Sequence, residues 1–200
     1  MNQLQHHQGH PLSVQGLHGI LLEQTVPTSL AAGSMYEPGQ VHLTFKNDGI
    51  VPWPAGAVRL ETRGFEWDAA PLVLGESVGP NGQASFGLTV RAPDTLGDFP
   101  FTWQLVTDTG RELLDTPTPA VTIHVLSSCH EFAAANRADD AELQQLRLEV
   151  THLQSELAAS HGHDRTGEVR EQMAAAKSRI AELKAGLVER KQTMHDVGCG

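Results

Sequence analysis

Two hundred residues suffice for one β-sandwich of roughly 100 residues with an appendage, and are too few for a large multi-domain enzyme. The 14 Lys and Arg against 24 Asp and Glu leave a formal charge of −10, so bulk electrostatics draw neither nucleic acid nor an anionic membrane. No apolar run approaches the roughly 20 residues of a membrane span.

Residues 1–18 carry four of the eleven histidines and no sustained hydrophobic period, which predicts a flexible His/Gln-rich arm. Its first ten residues have neither the basic nor the apolar region of a secretory signal, so a cytoplasmic location is expected. His6, His7 and His10 have the chemistry of metal ligands, but a polar low-complexity tail is the commoner meaning, and neither a metal nor any other cofactor is expected.

From Gly19 to Leu126 the hydrophobic period is two. Val41, Leu43 and Phe45 alternate with polar residues, as do Phe86, Leu88 and Val90; Phe99, Phe101, Trp103 and Leu105 make the heaviest row, and Val121, Ile123 and Val125 the last. Turn signals such as Asn47-Asp48-Gly49 and Gly79-Pro80-Asn81-Gly82 separate the rows. With Ile20–Val26, Ala57–Thr62 and Pro71–Leu74 added, about seven short strands result, which predicts an antiparallel sandwich over residues 19–126 with Phe45, Trp53, Phe86, Phe101, Trp103 and Ile123 in its core. Trp67, between Glu66 and Asp68 and without alternating partners, is expected outside that core; with Phe65 it forms a partner-binding candidate, the alternative being an edge ring lying over its own sandwich.

Several short words in this stretch resemble a known family. Pro38-Gly39, Asn47-x-Gly49, Trp53-Pro54, Ala92-Pro93 followed by Gly97, Trp103-x-Leu105, Asp108-x-Gly110 and Ile123-x-Val125 are similar, in order and spacing, to the four-tryptophan (FW) immunoglobulin-like domain of the next-to-breast-cancer-gene type of autophagy receptor. Phe45 stands near the position of that family's first tryptophan, and the last has no aromatic counterpart near Thr116–Pro119. The resemblance implies an immunoglobulin-like fold and a general role in binding other proteins.

Every proline lies at or before Pro119 and the last aromatic is Phe132, after which strong helix formers dominate. The break predicts a linker over residues 127–138 and a coiled-coil helical hairpin over 139–197. Leu143, Leu146, Val150, Leu153 and Leu157 recur at steps of three and four, as do Val169, Met173, Ala176, Ile180, Leu183 and Leu187. The two seams are out of phase across the glycine-bearing 160–167 segment. Folding there sets Leu157 against Val169, Leu146 against Ile180 and Leu143 against Leu183; a long parallel oligomer with a broken seam is the competing arrangement. His161 and His163, at the turn, are read as solvated. Leu148 and Val188 fall off the seam, and such exposed apolar residues predict self-association. The antiparallel register brings Cys129 near Cys199, where an oxidising setting closes a disulfide; a zinc clamp of Cys129, His130, His195 and Cys199 is the alternative in a reducing one.

No nucleophile–base pair, phosphate loop or metalloprotease motif is evident, so the chain is expected not to be an enzyme. The expected function is a protein-binding adaptor or scaffold whose sandwich holds a protein client while the coil oligomerises or docks. The alternative is a permanent structural subunit of a cytoskeletal, ciliary or virion assembly. Neither nucleic acid nor a membrane span enters either reading.

Overall fold

A computed structural model describes residues 16–159 and 165–200. His6, His7 and His10, and the 160–164 part of the predicted turn with His161 and His163, lie outside the described residues. The chain forms two compact units that divide between Val125 and Leu126.

The first unit is built from β1 (Gly19–Thr25), β2 (Ser29–Ala31), β3 (Met35–Tyr36), β4 (His42–Asn47), β5 (Val58–Thr62), β6 (Asp68–Ala70), β7 (Gln83–Gly87), β8 (Thr89–Arg91), β9 (Gly97–Phe101), β10 (Trp103–Thr107) and β11 (Val121–Leu126). They make four small sheets in which β4 lies between β1 and β7, β11 between β2 and β9, β8 between β3 and β6, and β10 pairs β5. The pairings of β1 with β4, β4 with β7, β10 with β5, β11 with β9, and β8 with β3 and β6 are antiparallel.

Two of the alternating rows serve two sheets each. The Phe99–Leu105 row breaks at Thr102: Phe99 and Phe101 face Ile123 and Val121 across β9–β11, whereas Trp103 and Leu105 face Thr62 and Leu60 across β10–β5. The Phe86–Val90 row breaks at Leu88, whose N–H donates to the Val41 carbonyl at 2.9 Å between the pairing of β7 with β4 and that of β8 with β3 and β6. Gly87 sits at this crossing, where a Cβ would come within 2.9 Å of Pro38, closer than carbon atoms tolerate. Pro71–Leu74 is not a regular strand but still lies along β5, with Leu60 N–H on the Leu72 carbonyl and Leu74 N–H on the Val58 carbonyl, both at 2.8 Å.

Phe45, Trp53, Phe86, Phe101, Trp103 and Ile123 all lie in one buried cluster fed by all four sheets. Of the buried polar residues Asn47, Gln104, Thr107 and Thr118, the first two are wholly enclosed, which is tolerated because their hydrogen bonds are made. Asn47 donates to the carbonyls of Val51 and Val78, both at 3.0 Å, and accepts from Gly49 N–H at 3.1 Å. Gln104 donates to the Leu114 carbonyl and accepts from the N–H groups of Leu105 and Leu114. The indole N–H groups of Trp53 and Trp103 are buried without an acceptor among the described residues. Each costs roughly 1–3 kcal/mol, less than the ~4–6 kcal/mol expected from burying roughly 150–250 Å² of aromatic ring.

The second unit holds two helices, α1 (Cys129–Ala159) and α2 (Thr166–Asp196), packed against each other. The segment read as a linker is therefore mostly helix. Its start is a capping box: Ser128 Oγ accepts from Glu131 N–H at 3.2 Å, and the Glu131 carboxylate accepts from Ser128 N–H at 2.8 Å. That exchange satisfies a backbone donor at an end that otherwise lacks partners and holds the Glu131 carboxyl below its ordinary range, chiefly through the backbone bond. The helices run side by side in opposite directions: Arg190 reaches Asp139 at 2.7 Å toward the start of α1, and midway along both helices Arg179 grips both Glu142 oxygens at 2.9 and 3.3 Å. Leu143, Leu183 and Leu187 form the core of the pair with Leu146 and Ile180 against them. Leu153, Val169 and Ala176 are buried, and Val150, Leu157 and Met173 are half-buried. Leu148 and Val188 are 72% and 70% exposed.

Cys129 and Cys199 are joined in a disulfide, with 5.3 Å between their Cα atoms and a sequence separation of 70. Closing a loop of that length is worth about 4 kcal/mol on the chain-entropy model. Reduction by dithiothreitol, or Cys199→Ser, is expected to lower the stability of the helical pair by a comparable amount; equal denaturation midpoints under oxidising and reducing conditions, read by far-ultraviolet circular dichroism, would contradict this.

Candidate protein-binding surface

The partner-binding candidates Phe65 and Trp67 follow directly from β5. Its last residue leads into Arg63, whose N–H donates to the Thr102 carbonyl at 2.9 Å, and then Gly64 turns the chain with φ +82°. Few residues other than glycine adopt that conformation without strain. From there side chains alternate: Phe65 half-buried, Glu66 exposed, Trp67 buried, Asp68 exposed, Ala69 half-buried.

Trp67 is therefore not an exposed anchor. It is 3% exposed, belongs to the main core, and donates its indole N–H to the Pro100 carbonyl at 2.9 Å. Edge-on contacts join it to Phe65 at 5.1 Å and to Phe101 at 5.7 Å between ring centroids, and Phe101 continues to Trp103 at 5.4 Å. Phe65 also meets Phe99 at 4.7 Å. The misreading arose from treating the two acids as a sign of solvent. They are the outward half of a period of two whose inward half is Phe65, Trp67 and Ala69, a signal present in the sequence.

What reaches the surface is a groove beside this segment. It has a volume of about 460 Å³ and is bounded by β5 on one side and by Glu66, Trp67, Leu72 and Val73 on the other. Val73 is 50% exposed, so the groove offers apolar surface beside the buried Trp67. A smaller recess of about 120 Å³ lies across the same segment, between Phe65, Glu66 and Asp68 and the Arg91–Asp94 stretch.

The charges around the groove are unevenly paired. Arg59 and Arg63 both bind Glu61, at 2.6 and 3.2 Å, and Arg63 also binds Glu112 at 2.9 Å. Arg59 first, then Arg63, hold the Glu61 carboxyl below its ordinary range, while Glu112 leads in raising Arg63. These exposed pairs contribute little stability but orient the outer face of β5. Among the described residues no ion pair engages Glu66 or Asp68.

Elsewhere in this unit, His18 bridges Asp48 at 2.6 Å and Asp115 at 3.0 Å; the Asp48 bond is the main cause of its raised pKa. Both ring nitrogens are engaged, which makes this a latch between segments rather than an open site. Among the described residues, no group of three His, Cys, Asp or Glu side chains is placed to hold a metal ion. Among the described residues no helix is long and apolar enough to cross a membrane.

No protein-family model matches the sequence, and no curated relative matches it. Among solved structures, native alpha-2-macroglobulin from Escherichia coli, solved from its domain MG7 to the C-terminus, matches with 13% sequence identity and a TM-score of 0.39. The match covers 84% of this chain, and the chain spans 34% of that protein's solved length. A likeness of this size carries no conclusion about fold or function.

Because Trp67 is a core residue, Trp67→Ala is expected to lower the stability of the first unit by about 3–5 kcal/mol, from lost burial and the cavity left behind. Chemical denaturation of the variant measures this, and a loss below about 0.5 kcal/mol would place the ring at the surface instead.

Proposed function

We propose that this chain is a non-enzymatic adaptor: an immunoglobulin-like sandwich that binds a protein client in the groove beside Trp67, joined to a helical hairpin that self-associates. The observation that carries the reading is the groove itself. Its apolar side is held on a rigid core, its rim is polar, and its volume lies within the 300–1,000 Å³ range typical of binding clefts. The sandwich reading, and with it the proposed likeness to the FW domain, is supported by antiparallel sheets sharing one core and by the work done at Asn47 and Gly49. A Cβ on Gly49 would meet the Gly16 carbonyl oxygen at 2.6 Å, so the turn that Asn47 holds closed needs glycine there.

The hairpin reading is supported by the disulfide and the Arg190–Asp139 pair, which hold the start of α1 beside the end of α2, and by the Arg179–Glu142 pair midway along both helices. Leu148 and Val188 support self-association, which would combine weak client contacts through effective concentration. The closed Cys129–Cys199 pair is at odds with a reducing cytosol, so the compartment we propose is an oxidising one, in place of the cytoplasmic location expected from the sequence.

The test is to compare client capture by the intact chain and by Val73→Glu. The variant places a charge in the apolar side of the groove without removing a core residue. It is expected to bind the captured proteins at least about tenfold more weakly, or ~1.4 kcal/mol, with little change in melting temperature. Unchanged capture would place the client site elsewhere. Quantitative co-sedimentation with an insoluble assembly, with no free pool, would favour a permanent structural subunit.

A further inference from the structure

The groove beside Trp67 has three features that together define what fits it. The first is an unfinished strand edge. Leu60 donates outward from the β5–β10 ladder to Leu72, while Arg63 donates inward to Thr102. Backbone groups of an antiparallel strand alternate in direction, so Thr62 faces outward like Leu60; its carbonyl there already accepts from the Arg63 guanidinium at 3.0 Å, which leaves its N–H for an added chain. By the register of that outer pairing, Thr62 would meet residue 70, but residues 68–70 have left to pair with β8. The chain that covers the edge of β5 at Leu72–Leu74 thus departs before Thr62, and the groove opens where it leaves.

The second feature is the apolar side made by Trp67, Leu72 and half-exposed Val73. The third is charge. Arg59, Glu61, Arg63 and Glu112 largely neutralise one another through three ion pairs, whereas Glu66 lines both the groove and the recess across the ridge with no ion-pair partner among the described residues. Asp68 lines the recess beside it.

We propose that the occupant of this groove is an extended polypeptide segment that accepts a main-chain hydrogen bond from Thr62 N–H at the outer edge of β5, seats one apolar side chain against Val73 and Leu72, and places a flanking Lys or Arg at Glu66. The proposal rests on the reading that the groove binds a protein client and specifies that client's chemistry. Main-chain pairing would supply orientation, and the apolar contact with the Glu66 charge would supply selection.

The probes are acetylated, amidated nine-residue peptides with a central leucine flanked by lysines, by serines or by glutamates, titrated against the intact chain by fluorescence anisotropy. The lysine series is expected to bind at least tenfold tighter than the serine series, with the glutamate series weakest. Glu66→Lys should invert that order, and Val73→Glu should weaken the serine series, whose leucine loses its apolar seat, more than the lysine series, which gains a second charge partner. Because the chain carries a net charge of −10, lysine peptides are drawn to it anywhere; Asp140→Lys, an exposed change on α1, therefore serves as the control and should leave the order intact. Serine or glutamate peptides that bind as tightly as lysine peptides, in a Val73-dependent way, would overturn the charge assignment while leaving the groove a binding site. An order that Asp140→Lys changes as much as Glu66→Lys does would also overturn it. Binding of every series that ignores Val73→Glu would overturn this proposal and the groove reading together.

Discussion

The seat of Trp67 is the contact on which the rest of the first unit depends. Its indole donates to Pro100 and stands edge-on to Phe65 and Phe101, and Phe101 hands the stack on to Trp103. Phe101 belongs to β9 and Trp103 to β10, strands of different sheets, so the stack bridges the point where one run of chain leaves one sheet for another. Aromatic pairs of this kind add about 0.5–1.5 kcal/mol each beyond their burial. The consequence at the surface is a ridge, residues 65–68, whose inward side chains are held in the core and whose backbone points the two acids outward. The groove is the space between that ridge and β5. A site of this origin is pre-organised, so little ordering cost falls on the partner that enters it.

The inward-facing rows were readable because a half-buried strand shows its period directly: Phe45, Phe86, Phe101, Trp103 and Ile123 are all buried. What a period of two cannot show is which neighbour a strand pairs with. The rows through Leu88 and Thr102 keep their alternation while changing sheets, so each reads as one strand and is two. Burial of Gln104 was hidden for a related reason. β10 is covered on both faces, and a polar residue there is tolerated only because three backbone groups meet its amide, a fact of tertiary contact. Trp67 and the start of α1 differ from these, since both had a local signature: the alternation through residues 65–69, and the Ser128-x-x-Glu131 box. Phe65 and Trp67 do lie beside the proposed site, but as its support. The residues that would meet a partner, Val73 and Glu66, carry no motif and become visible only once the path of residues 64–74 is known.

In the second unit a narrow seam does the work of a core. Two helices can bury little between them, and helices of ordinary composition gain most of their stability from packing. Leu143, Leu183 and Leu187 with Leu146 and Ile180 pack the middle of the seam, where Arg179 also meets Glu142; Leu153, Val169 and Ala176 are buried on one side of that middle, and Arg190 with Asp139 and the disulfide lie on the other. The charge pairs set the register and the disulfide limits the unfolded chain.

The ridge and the groove beside it require Trp67 to be a buried, hydrogen-bonded member of the core and not a mobile surface ring. The most direct measurement is the hydrogen exchange of its indole N–H, resolved by nuclear magnetic resonance among the three tryptophans. The account predicts slow exchange, with protection close to that of core backbone amides in β10, because the N–H is held on the Pro100 carbonyl. Exchange as fast as that of a solvent-exposed indole would contradict it, and would remove the fixed ridge on which the groove is built.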